Sequence, residues 1–129
     1  PNGVKVSIML EETGLPYEPH LVRFDQDDQT SPEFLSLNPN NKIPAILDPN
    51  GPGGQPLALF ESGAIALHLA EQHPGLLPRD PDARMRAIMW VFAALNTVEP
   101  PIVERSMAWV LEREQPWYAQ RLPMLDERV

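Results

Sequence analysis

The chain has 129 residues, enough for one ordinary domain or a small domain with part of another, and its 43% apolar and 22% charged residues match a globular core rather than a disordered chain. Of the net charge of −8, residues 1–78 carry −7 (Lys5, Arg23 and Lys42 against ten acids) and residues 79–129 carry −1 (seven Arg against eight acids), a balance that repels phosphate backbones and argues against nucleic acid as a partner. The absence of Cys excludes a disulfide scaffold and a cysteine nucleophile in these residues, and no apolar run approaches the ~18 residues of a membrane span.

Along the chain, Val4, Ile8 and Leu15 recur at helical spacing with Met9 beside them, and Gly14 and Pro16 stop this first helix. A domain opening on a helix predicts a strand before it, with catalytic residues on the strand's outgoing loop. Residues 17–24 alternate in part and predict a short strand. Residues 25–31 are polar, and 32–37 predict a short helix with Pro32 in its first turn. After turn residues 38–41, Ala45, Ile46 and Leu47 predict a buried strand. A Gly- and Pro-rich loop at 50–55 then leads to a strand at 57–60, and the economical topology is a hairpin. Ser62 predicts the cap of a helix running through Ile65, Leu67, His68 and Leu69 to Pro74 and Gly75.

Residues 76–81 lack periodicity and read as a linker, dividing the chain into domains at 1–78 and 79–129. Ile88, Val91, Phe92 and Leu95 form a helical stripe that Met89 and Trp90 widen, and Pro100 and Pro101 kink or end the element. Residues 102–114 and 117–128 predict two more helices. So small a helical remnant predicts continuation past Val129.

Few residues suit chemistry. Ile43-Pro44 is either an ordinary trans step before a strand or, if cis, a clamp turning the Ile43 N–H and C=O toward another peptide-like backbone. Glu61 and Ser62 are either an exposed acid beside a simple cap or a seat for the two charges of an α-amino acid. In the second case the helix start takes a carboxylate and Glu61 an ammonium. Asn2 either caps the first helix or donates to a thiolate or an amide of a ligand. His68 reads as a packed residue rather than a base, and His20 and His73 are isolated. No spacing suits a metal or a Ser-His-Asp triad, and the loop with Gly51, Gly53 and Gly54 lacks the Lys-Ser/Thr ending of a phosphate loop.

Four ordered segments carry a resemblance: 1–6 (PNGVKV), 31–34 (SPEF), 38–46 (NPNNKIPAI) and 59–65 (LFESGAI). Residues 1–78 closely resemble the N-terminal, thioredoxin-like domain of soluble glutathione S-transferases. The nearest group is the bacterial and fungal one similar to the yeast nitrogen-regulator prion protein. Residues 83–129 resemble the start of that family's helical domain more weakly. The implied fold is α/β plus all-α: a thioredoxin-like N-terminal domain, here without its first strand, followed by the beginning of an all-helical C-terminal domain.

The resemblance also implies roles. Ile43-Pro44 is then expected to be cis, with Ile43 pairing with the cysteinyl part of glutathione, Glu61 and Ser62 holding its γ-glutamyl end, and Lys42 near the glycyl carboxylate. Asn2 corresponds to the loop residue near the sulfur and is the catalytic candidate. The Thr or Ser that the family pattern places immediately before the Pro-Asn-Gly segment is missing from this sequence. A small electrophilic or disulfide second substrate is expected between the two domains, with Trp90, Asn96 and Arg105 as contacts. Composition makes a cytoplasmic protein the default expectation and spacing offers no metal, while the resemblance implies a homodimer, a glutathione-dependent transferase or disulfide reductase, with Phe60, Met85 and Met89 at its interface. The alternatives are a regulatory glutathione-binding module without turnover and a structural module without ligand.

Overall fold

The computed structural model describes residues 2–129, which divide between Pro78 and Arg79 into two compact units. In the first, α1 (Asn2–Thr13) ends at Gly14, whose φ of 64° suits a residue without Cβ. The buried face of α1 is Val6, Met9, Leu10 and Thr13, while Val4 and Ile8 are 58% and 56% exposed. The Val4–Ile8 stripe expected to face the core therefore faces outward. Both sets have helical spacing, and it is the set meeting α3 that packs.

The strand expected at 17–24 does not form. Residues 15–23 take no regular structure because no described strand lies alongside to accept a ladder, and Phe24–Gln26 is instead a short 3-10 turn. A second such turn, Asp28–Thr30, leads to α2 (Pro32–Leu37). Ser31 starts α2: its Oγ accepts the Phe34 N–H at 3.2 Å, and Pro32 fills a first-turn site that needs no donor.

β1 (Ala45–Asp48) and β2 (Leu57–Phe60) form an antiparallel hairpin in which Ile46 faces Leu59. That pair points into the core, whereas Leu47, expected to be buried, is exposed as strand alternation requires. Gly51 in the connecting loop is sterically required, since a Cβ there would stand 2.6 Å from both the Gln55 carbonyl and the Leu57 Cβ. α3 (Ser62–Gln72) then covers the sheet and α1, and Ile65, 0% exposed, centres the core with Val6 and Leu69.

Asp48 ties the end of β1 to α3. One carboxylate oxygen accepts from the His68 Nε2 at 2.7 Å and the Gln72 Nε2 at 3.0 Å, and the other accepts from the Asn50 N–H at 2.8 Å. His68 is thus a partly buried residue whose ring is fastened to Asp48. The His68 bond, with those from Asn50 and Gln72, holds the Asp48 carboxyl below its ordinary 3.8. A lowered folded value means that the stabilisation is complete above the ordinary aspartate range and is lost as pH falls through the folded value. Asp48→Asn is therefore expected to lose less stability than the parent chain between pH 6 and pH 3, measured as the shift in urea midpoint.

In the second unit, Asp80 caps α4 (Pro81–Ala93) by accepting the Ala83 N–H at 2.8 Å, so this helix begins inside the expected linker. Ile88, Val91 and Leu95 are half-buried, but Phe92, Met89 and Trp90 face outward. Pro100 and Pro101 do not end the element. α4 passes through a wider π-helical turn, Ala94–Val98, into α5 (Glu99–Glu112), whose first turn holds both prolines. The Glu99 N–H reaches back five residues to the Ala94 carbonyl. In a regular helix Pro100 and Pro101 would leave the Asn96 and Thr97 carbonyls without donors and press against them, and the wider turn relieves that crowding.

α6 (Tyr118–Arg128) packs on α5, and Ala108 of α5 and Leu125 of α6 are both buried. Arg121 reaches Glu112 at 2.6 Å and Glu104 at 2.9 Å, and Arg128 also pairs with Glu104. Among the described residues, no helix is long and apolar enough to cross a membrane, and no group of three or more His, Asp or Glu is placed to hold a metal ion.

Candidate functional site

The hairpin and the starts of two helices converge on a polar cleft of about 190 Å³ in the first unit, lined by Asn2, Asn38, Lys42, Ile43, Pro44, Glu61 and Ser62. It therefore brings together residues 2, 42–44 and 61–62, which the sequence had offered in separate segments. Trp90, Asn96 and Arg105 lie in the second unit. Trp90 is 67% exposed on α4, Asn96 is exposed in the π-helical turn, and Arg105 is engaged by Asp126 at 2.5 Å.

One wall of the cleft is the β2–α3 junction. Ser62 is not the cap: it occupies the first helical position and is 6% exposed. Glu61 holds the cap position with φ 70° and ψ 113°, and its carbonyl accepts the Ile65 N–H at 2.9 Å. Because the Glu61 side chain makes no cap bond, the first N–H groups of α3 are left without a side-chain acceptor, and the carboxylate is exposed beside them. A helix start with open donors attracts a carboxylate, and the adjoining Glu attracts a cation. A non-glycine residue in this backbone region is held at a cost of about 1–3 kcal/mol.

The opposite wall is the segment before β1. The Ile43-Pro44 peptide is cis. Neither the N–H nor the C=O of Ile43 bonds to another backbone group among the described residues, so both are available to a ligand with a peptide-like backbone. Lys42 adds an exposed cation, and Asn41 sits at φ 50°, a region Asn tolerates. Asn2, in the first turn of α1, also lines the cleft.

Asn38 is the lining residue that sequence reasoning assigned only to a turn. It is 3% exposed: Nδ2 donates to the Lys42 carbonyl at 2.7 Å and Oδ1 accepts the Asn40 N–H at 2.9 Å. The signal available was an Asn opening an Asn-Pro-Asn-Asn turn, where its side chain can replace backbone partners.

The family model for the glutathione S-transferase N-terminal domain matches residues 1–72. The chain is 44% identical over 101 residues to the disulfide-bond oxidoreductase YfcG of Escherichia coli (strain K12), covering 78% of this chain and 47% of that protein. It is 48% identical to a glutathione transferase family member from Pseudomonas fluorescens pf-5 with two glutathione bound. That match has a TM-score of 0.91 over 99% of this chain and 56% of that one. Ure2p in complex with glutathione matches at 30% identity and a TM-score of 0.83, over 100% of this chain and 54% of that one. The chain spans about half the length of these relatives. With a thioredoxin-like α/β unit followed by helices, and a matched family domain over more than half its residues, the chain belongs to the glutathione S-transferase family.

Proposed function

We propose that the chain belongs to a glutathione-dependent enzyme, a transferase or disulfide-bond reductase, that binds glutathione in the cleft of its first unit. The observation that carries this is the set of charged, donor and acceptor groups gathered in one cleft. One cleft joins a carboxylate, a helix start with open N–H groups, an unpaired peptide backbone at Ile43 and a lysine. Glutathione presents an ammonium and a carboxylate at one end, a peptide backbone in the middle and a carboxylate at the other end. In this reading Glu61 takes the ammonium, Ser62 and the start of α3 take the γ-glutamyl carboxylate, Ile43 pairs with the cysteinyl backbone beside Pro44, and Lys42 faces the glycyl carboxylate.

Bound glutathione supplies the thiol that a chain without Cys does not contain. The Asn2 amide donors and the positive end of the α1 dipole lie beside the cleft, which favours a thiolate there over a thiol. The same donors then stabilise negative charge at that point during attack on an electrophilic carbon or a disulfide sulfur. Trp90 and Asn96 remain candidates for contact with the second substrate. Arg105 is less available because Asp126 already holds it. A cytoplasmic homodimer completes the reading, and Met85 and Met89, four residues apart on α4 and both exposed, are suited to its interface.

Calorimetric titration of the full-length protein with glutathione tests the proposal. Saturable binding is expected, and Ser62→Ala is expected to weaken it about three- to tenfold with little change in thermal stability, the size of one hydrogen bond. No binding by the parent protein at millimolar glutathione would overturn the reading. Unchanged affinity in Ser62→Ala would reduce Ser62 to a structural residue of the helix start.

A further inference from the structure

We infer that Asn38 is the positioning residue of the glutathione cleft, orienting the Ile43 N–H toward the ligand through its bond to the Lys42 carbonyl. The inference rests on the glutathione reading of the cleft and adds a residue that the reading does not assign.

The argument begins with peptide planarity. The Lys42 C=O and the Ile43 N–H belong to one trans peptide unit, so they point in opposite directions from the same rigid plane. Holding the carbonyl therefore aims the N–H. Asn38 Nδ2 holds it at 2.7 Å. The remaining groups of Asn38 are also engaged. Its N–H donates to the Phe34 carbonyl at the end of α2 (2.9 Å), its C=O accepts the Asn41 N–H (3.1 Å), and its Oδ1 accepts the Asn40 N–H (2.9 Å). The loop that carries Lys42 and Ile43 is thus fastened to α2 through one buried side chain. The Ile43 N–H, on the far edge of that peptide plane, has no backbone acceptor among the described residues.

The partners also fix which end of the amide points where. An Oδ1 that accepts from an N–H leaves Nδ2 to donate to a carbonyl, so the site needs an acceptor and a donor on a side chain of this length. Asp keeps the acceptor but, when ionised, sets an oxygen against the Lys42 carbonyl. When protonated, its hydroxyl can donate as Nδ2 does. A carboxyl in this buried position, facing a carbonyl, is expected to titrate above the ordinary aspartate range, because burial and the carbonyl disfavour the ion more than the one Asn40 N–H bond favours it.

The test is the glutathione affinity of the full-length protein and of Asn38→Asp and Asn38→Ala, measured by calorimetry from pH 8 to pH 5. Circular dichroism checks folding at each pH. The parent affinity is the reference at every pH. At pH 8, Asn38→Asp is expected to bind at least about tenfold more weakly than the parent, and Asn38→Ala about three- to tenfold more weakly. By pH 5 the Asp deficit is expected to shrink to about twofold, while the Ala deficit stays constant. A residue that merely supported the fold would not produce that crossing. An Asp deficit independent of pH, or no deficit in Asn38→Asp, overturns the inference while leaving the cleft reading intact. Absence of glutathione binding by the parent overturns both. If Asn38→Ala does not fold, the Asp comparison decides alone.

Discussion

Glu61→Gln is expected to lower glutathione affinity by about ten- to fiftyfold while leaving the fold unchanged. Gln matches Glu in length and shape, and it is not β-branched, so the left-handed backbone at position 61 suits it no worse. In the proposed reading, the substitution changes the charge that faces the ligand ammonium. A hydrogen bond between charged groups contributes about 1.5–3 kcal/mol, and the exposure of Glu61 places this one toward the lower end of that range. The same reasoning predicts that the parent affinity falls with added salt and that the variant loses part of this dependence. Calorimetric titrations of both proteins at low and high salt check the two statements together. Equal affinities would remove Glu61 from the site and leave its strained backbone without a functional account.

The second large effect is expected in the core. Ile65→Ala removes most of a side chain that is 0% exposed and packs with Val6 and Leu69, so a loss of about 2–5 kcal/mol is expected, depending on how far the cavity collapses. Ile65 is also the first residue whose N–H closes the helix, onto the Glu61 carbonyl. The damage therefore falls at the junction that carries Glu61 and Ser62. The measurement is the urea midpoint followed by amide exchange in α3, with Val4→Ala as control. Val4 is as apolar as the core residues but is exposed on the same helix as Val6, so its truncation is expected to shift stability by no more than about 0.5 kcal/mol. Equal losses from the two substitutions would show that the face of α1 assigned to the core is wrong.

That control marks a limit of sequence reading. Val4 with Ile8, and Val6 with Met9 and Thr13, both satisfy a helical period, and the choice between them is made by α3, more than fifty residues further on. Residues 17–24 failed for a related reason: partial alternation describes a strand's faces, while a strand exists only where a neighbour completes its hydrogen bonds. The hairpin was legible because both of its strands and the loop between them are local. The cleft was legible in its two main segments, since Lys42-Ile43-Pro44 and Glu61-Ser62 each carry their chemistry within a few residues. What local reading missed was support from a distance. Asp48 meets His68 across twenty residues, and Asn38 looked like any turn residue until its two bonds were seen. The misplaced cap at Ser62 shows the same limit, because Ser62 has the right chemistry for a cap but the backbone turns one residue earlier, at Glu61.

The widened turn at Ala94–Val98 bears on how this part of the chain can change over mutational time. Deleting one residue to restore the regular helical repeat would drive the rings of Pro100 and Pro101 into the carbonyls four positions before them. Replacing the prolines alone would restore donors to a turn whose spacing no longer suits them. Each feature makes the other difficult to lose singly, so drift through this segment is confined to paths that alter the turn and its prolines together.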